Sequence, residues 1–139
     1  MNKDPLSVVK MLADIAELEK SREVANSIVR LSAERERLAL LEQYLDEYGP
    51  GASGLATDIE SLRTRRNFLY SLAAAIGDQS ASIEQTQAIL LRHIETWRSA
   101  RANARAVNKL TERRSAEKAR SRDRIEQNDL DAAVRPIRR

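Results

Sequence analysis

The side chains able to do chemistry are few, and their spacing does not assemble a reaction centre. The chain has one histidine, His93, and no cysteine, which removes disulfides and Cys-ligated metals and argues against a small secreted scaffold. A lone histidine on a helix is ordinarily structural, and Trp97, four residues on, offers it a ring neighbour on the same face. The 21 acidic residues are scattered as solvated faces. No phosphate-cradling G-x-x-x-x-G-K-[ST] or G-x-G-x-x-G run and no metal-ligand cluster occurs. The expectation is a protein without catalytic residues, cofactor, metal or small-molecule substrate.

Charge is the next resource. The formal net charge of +3 hides an asymmetry: residues 1–52 carry 7 basic and 10 acidic side chains, whereas residues 97–139 carry 13 and 6. The basic end reads Arg113, Arg114, Lys118, Arg120, Arg122 and Arg124, interleaved with Glu112, Glu117, Asp123 and Glu126. Such a run is first a solvated helix face, second a nucleic-acid surface, third a dock for an acidic protein surface. The interleaved acids and the lack of any aromatic beyond Trp97 to stack on bases count against nucleic acid.

The aromatic residues supply a third candidate. Tyr44, Tyr48, Phe68 and Tyr70 are four of the five aromatics in the chain, and they flank one glycine-rich break. Tyr44 and Tyr48 lie beside Leu41 and Leu45, while Phe68, Leu72 and Ala75 sit one position off a regular ladder of apolar residues. The apolar stripe there is wider than a two-position seam, so these rings either plug the end of a hairpin or form a patch for a partner.

The element that must position these residues is that ladder: Leu55, Leu62, Leu69, Ile76, Ile83, Leu90, Trp97 and Ala104, each seven residues from the next. A strict seven-residue repeat keeps one seam facing a partner only when helices supercoil. Its second rank is uneven, since Gln79, Ser80, Thr86 and Gln87 interrupt the apolar residues. Composition agrees with a narrow seam: 20 residues are Ala, which forms helix but fills little core. The first helix opens at Asp4-Pro5, with Asp as N-cap and Pro at the first position. Val8, Met11, Leu12, Ile15 and Leu18 follow at helical spacing. A second register begins at Val24, Leu31, Leu38 and Leu45, implying a phase slip across residues 21–25. Residues 49–54, Gly-Pro-Gly-Ala-Ser-Gly, stop the helix and allow a reversal. Thr57-x-x-Glu60 then reads as a capping box.

From there to about residue 134 the chain has no Pro and one Gly, Gly77, a soft spot; Pro136 ends the ordered chain. The expected fold is all-α: an elongated antiparallel two-helix coiled-coil hairpin in one domain, with helix 1 about 5–48, hinge 49–56, helix 2 about 57–134 and a short C-terminal tail. Helix 2 outruns helix 1, leaving its basic end from about Arg113 with little intramolecular partner. Neither a secretory signal nor a membrane-spanning run is legible, so a cytosolic protein is expected.

Several motifs in this order resemble those of the FliJ family of flagellar export proteins. They are Leu41-x-x-Tyr44-x-x-Glu47-Tyr48, Phe68-x-x-x-Leu72-x-x-x-Ile76, Trp97-Arg98, Leu110-x-Glu112-Arg113, and Glu126-Gln127 followed by residues 129–133. The resemblance implies a non-enzymatic coiled-coil stalk. Its partners would be the hexameric export ATPase, the cytoplasmic domain of the export gate membrane protein, and export chaperones, with no nucleic acid. By position, Leu41, Tyr44, Tyr48, Phe68, Leu72 and Ala75 match the family's gate-facing surface. By analogy with rotary stalks, Arg113, Arg114, Lys118, Arg120, Arg122 and Arg124 would face the ATPase ring. The implied location is cytoplasmic, peripheral to the inner face of the bacterial cell membrane at the flagellar base. The stalk of a virulence-type III secretion system shares this architecture, and a generic scaffold with a nucleic-acid-binding helix is the reading from another class.

Overall fold

The structure is a computed structural model that describes residues 4–49 and 58–134. Two helices account for nearly all of them: α1 (Pro5–Tyr48) and α2 (Ile59–Val134). They pack against each other as an all-α two-helix hairpin, with no strand among the described residues.

Each helix start is built by an aspartate. The Asp4 carboxylate accepts the Leu6 N–H at 3.2 Å, and its main-chain carbonyl accepts Ser7 N–H at 3.0 Å. Pro5 occupies the first helical position, where no N–H is needed. For α2 the cap is Asp58, whose Oδ1 accepts the Ser61 N–H at 2.7 Å. Bonds from the Ser61 hydroxyl and N–H hold the Asp58 carboxyl below its ordinary range. This cap lies one residue later than the sequence reading placed it, because the carboxylate of Asp58 takes the third-position N–H itself. Thr57 lies outside the described residues, as do Leu55, Pro136 and residues 50–54 of the expected hinge. At the end of α1, a Cβ on Gly49 would collide with the Leu45 carbonyl oxygen, so the position requires glycine. The Gly49 carbonyl accepts a bond at 3.0 Å from Arg65 on α2, satisfying an acceptor that the helix end cannot.

The contacts divide the chain into two compact units, Lys20–Trp97 and a second made of Met1–Glu19 with Arg98–Arg139. In the first, pairing is antiparallel: Ser27 meets His93, Glu34 meets Thr86 and Tyr48 meets Phe68. One side of the seam is apolar, with Leu31 and Ile83 buried and Val24, Leu38, Leu45, Leu69, Ile76, Leu90 and Trp97 half-buried. The ladder weakens toward the break, where Leu62 is exposed. The other side follows positions 20, 27, 34, 41 and 48 of α1 against 65, 72, 79, 86 and 93 of α2. Its middle is polar: Ser27, Glu34 and Thr86 are all buried. Gly77 interrupts nothing, since α2 continues through it and a Cβ there would meet no atom within 4 Å.

The second unit has a thinner core. Leu6, Ala13 and Ala104 are its buried apolar residues, with Val107 and Thr111 half-buried. Here the structure overturns the phase slip. The buried positions of α1 step by seven from Leu6 to Ala13, without adopting the Met11–Leu18 register. Met11, Leu12, Ile15 and Leu18 are between 45% and 57% exposed. At about 100° per residue, Met11, Ile15 and Leu18 lie well round the helix from the Leu6–Ala13 line. The start of α1 therefore has two apolar faces, and the one carried by Leu6 and Ala13 is buried. The basic overhang also begins later than Arg113. Lys118 Nζ lies 3.9 Å from Asp4 Oδ2, so the first turn of α1 reaches the level of Lys118. Arg120, Arg122 and Arg124 lie beyond that level, and every residue from 112 to 134 is exposed.

Candidate partner-binding surface

Beside the break, α1 and α2 leave an open groove of about 1190 Å³ within the Lys20–Trp97 unit. Leu41, Tyr44 and Tyr48 line it from α1; Thr64, Phe68 and Leu72 line it from α2. Leu72, only 6% exposed, belongs to the packed seam. Tyr48 and Phe68 meet edge to face, ring centres 5.7 Å apart at 83°, the arrangement that aromatic quadrupoles favour. Contact with each other does not bury them: Tyr44 is 40%, Phe68 46% and Tyr48 53% exposed. The pair thus closes the end of the seam and still presents apolar surface.

Polar residues edge the groove with an acidic bias. Glu47, Asp58 and Glu60 line it together with the single cation Arg65. Asp58 is engaged as the α2 cap, and Arg65 holds the end of α1. What the arrangement can do is seat apolar side chains of a partner that carries positive charge at its edges.

Of the six residues singled out near the break, five line this groove: Leu41, Tyr44, Tyr48, Phe68 and Leu72. Ala75 is half-buried one turn along and is not a lining residue. Tyr70 departs from the cluster. It is 61% exposed, and its hydroxyl accepts bonds from Arg66 Nε and Nη2 at 3.2 and 3.1 Å. Tyr70 lies two positions after Phe68, which puts their side chains about 200° apart around α2. Sequence reasoning missed Ser61, Thr64 and Arg65 as parts of the site. Arg65 was legible in principle, seven residues before Leu72 on the same rank.

The polar middle of the seam is the other arrangement of note. Glu34 is 6% exposed at a core position. Its Oε2 accepts the Thr86 hydroxyl at 2.9 Å, and its Oε1 accepts Arg30 Nε at 3.2 Å. Gln79 Nε2 donates to its main-chain carbonyl at 2.9 Å. Burial pushes the Glu34 carboxyl up, but hydrogen bonds from Thr86, Arg30 and Ser82 and the charge of Arg30 outweigh it, so the group stays below its ordinary value of 4.5. One heptad away, Ser27 Oγ and His93 Nδ1 lie 2.7 Å apart. His93 therefore has its bonding partner across the seam on α1. Among the described residues no buried side-chain polar atom lacks a partner.

The basic residues Arg113, Arg114, Lys118, Arg120, Arg122 and Arg124 are all exposed along α2. No helix among the described residues is long and apolar enough to cross a membrane.

No curated protein gives a significant match to the chain. The family described as Flagellar FliJ protein matches residues 2–138, essentially the whole length and therefore both helices and the groove between them. That family comprises non-catalytic stalk proteins of the flagellar export apparatus. The chain belongs to the FliJ family of flagellar proteins.

Proposed function

We propose that this stalk protein couples the hexameric export ATPase to the export gate, and that the groove beside the break is its gate-facing dock. The observation that carries this reading is the set of half-exposed rings, Tyr44, Tyr48 and Phe68, beside buried Leu72. A seam that only held the hairpin together would bury those rings. Exposed aromatics grouped in a groove with a polar edge are instead what binding hot spots are made of. The acidic bias of that edge selects a gate surface bearing Lys or Arg around an apolar contact.

The basic run from Arg113 to Arg124 faces the ATPase ring in this reading. Its support is that all six residues are exposed along α2 and that Lys118, Arg120, Arg122 and Arg124 lie at or beyond the level where α1 begins. Export chaperones are further partners, and the complex works at the inner face of the membrane at the flagellar base. All of these roles require binding surfaces and none requires bond-making chemistry.

The test is a double variant, Tyr48→Ala with Phe68→Ala, assayed for co-purification with the cytoplasmic domain of the gate. Loss of co-purification with an unchanged far-UV helical signal is the expected result. Loss of the helical signal instead would mean the rings hold the hairpin together and do not form a dock. A chain ending after Lys118, assayed for stimulation of the ATPase, examines the basic end separately; full stimulation by it would remove Arg120, Arg122 and Arg124 from the contact.

A further inference from the structure

The apolar ladder that specifies the hairpin does not by itself specify its alignment. Leu69, Ile76, Ile83 and Leu90 present nearly the same side chain every seven residues, and so do Val24, Leu31, Leu38 and Leu45 on α1. Sliding α2 by one heptad puts Leu, Ile or Val opposite Leu, Ile or Val again. The same repeats would also let α1 pair in parallel with α1 of a second copy. Something else must break these degeneracies.

We infer that Glu34 is the alignment key of the hairpin, a buried carboxylate that accepts α2 in one antiparallel register and rejects parallel pairing with a second copy. The geometry is specific. Around Glu34, three residues of one α2 face supply donors: Gln79 to its main-chain carbonyl, and Ser82 and Thr86 to its carboxylate. Ser27 and His93 repeat the match one heptad away. A slide of one heptad in either direction separates Glu34 from Thr86 and Ser27 from His93 at once. It replaces Gln79, Ser82 and Thr86 around the 6% exposed Glu34 either by Leu72, Ala75 and Gln79 or by Thr86, Ile89 and His93, so an apolar residue takes the place of the Ser82 donor in either direction. Parallel pairing of two α1 helices is worse, because each core position then faces its own copy. Glu34 would meet a second Glu34 in the seam, and two adjacent buried carboxylates resist joint ionisation. The apolar side of the seam supplies adhesion and the Glu34 side supplies discrimination, the division of labour a single buried polar residue performs in coiled coils.

The experiment uses the full chain with Glu34→Leu, which restores an apolar heptad, and Glu34→Met should the Leu variant fail to fold. Because the natural chain has no cysteine, spin labels placed at Val29→Cys and Asp78→Cys, both exposed, report the alignment without ambiguity. With Glu34 present, one narrow label-to-label distance and a monomer by light scattering are expected. With Leu or Met at this position, a second distance population displaced by several ångström should appear, as a slide of one heptad, about 10 Å along the axis, requires. Self-association should tighten at least about tenfold. A single unchanged distance together with an unchanged monomer in the Leu and Met variants would overturn the proposal.

Discussion

Two stretches of the same seam, within one unit, use the same ranks of residues to opposite ends. Positions 27 and 34 of α1 face 86 and 93 of α2, and there the rank is polar, closed and fully hydrogen-bonded. Positions 41 and 48 lie with 65, 68 and 72 beside the break, and there the rank is apolar, aromatic and open to solvent. A seam built for stability alone would show the reverse, with rings in the middle and carboxylates at the end. Polar groups are placed where water is excluded and hydrogen-bond geometry discriminates. Apolar groups beside the break are left where solvent still reaches them. The regular ladder beside both stretches is scaffold.

The comparison breaks first at Leu72, which serves packing more than display. Leu72→Ala should destabilise the hairpin by about 2–4 kcal/mol, the ordinary cost of truncating a buried leucine, read from denaturant or thermal unfolding. A cost below about 1 kcal/mol would mean that the groove is not anchored in the packed seam. Thr86→Val comes next. Removing the hydroxyl at this 2% exposed position takes a donor from Glu34, with an expected loss of about 1–3 kcal/mol despite the nearly unchanged volume. A neutral outcome would show that Arg30 and Ser82 suffice for the carboxylate.

The pH dependence sharpens the same point. Glu34 is held below its ordinary value of 4.5 in the folded chain, so the unfolded chain binds its proton first on acidification. The stabilisation is complete above the unfolded value and is lost as pH falls through the lower folded one. Asp58, held below its ordinary 3.8, adds the same sign at lower pH. Melting temperature should fall as pH drops below about 4.5, and Glu34→Gln should flatten the upper part of that fall. The smallest effect belongs to Gly77. A Cβ there meets nothing within 4 Å, so Gly77→Ala should stabilise by at most about 1 kcal/mol, without altering partner binding.

How much of this the sequence made legible depends on what kind of signal each feature leaves. The hairpin, the Asp4-Pro5 start and the aromatic flank were readable, because caps, breaks and seven-residue repeats are local patterns. The Met11–Leu18 stripe misled. Periodicity finds an apolar face but does not say which of two faces is buried, and the face that packs there is carried by Leu6 and small Ala13. Glu34 was invisible for a different reason. A lone carboxylate on a charged helix reads as solvated, and its meaning appears only when Thr86, fifty-two residues away, is set against it. The role of Arg65 was hidden likewise, although its rank was legible, since its partner is the main-chain carbonyl of Gly49 just past the end of α1.

The division between a closed polar middle and an open aromatic end is tested most directly by hydrogen–deuterium exchange of the full chain, alone and with the cytoplasmic domain of the export gate. The account predicts new protection on binding at residues 41–48 and 61–72, with no change at 27–34 and 79–93. Protection gained across 27–34 and 79–93, with 41–48 and 61–72 unchanged, would contradict it.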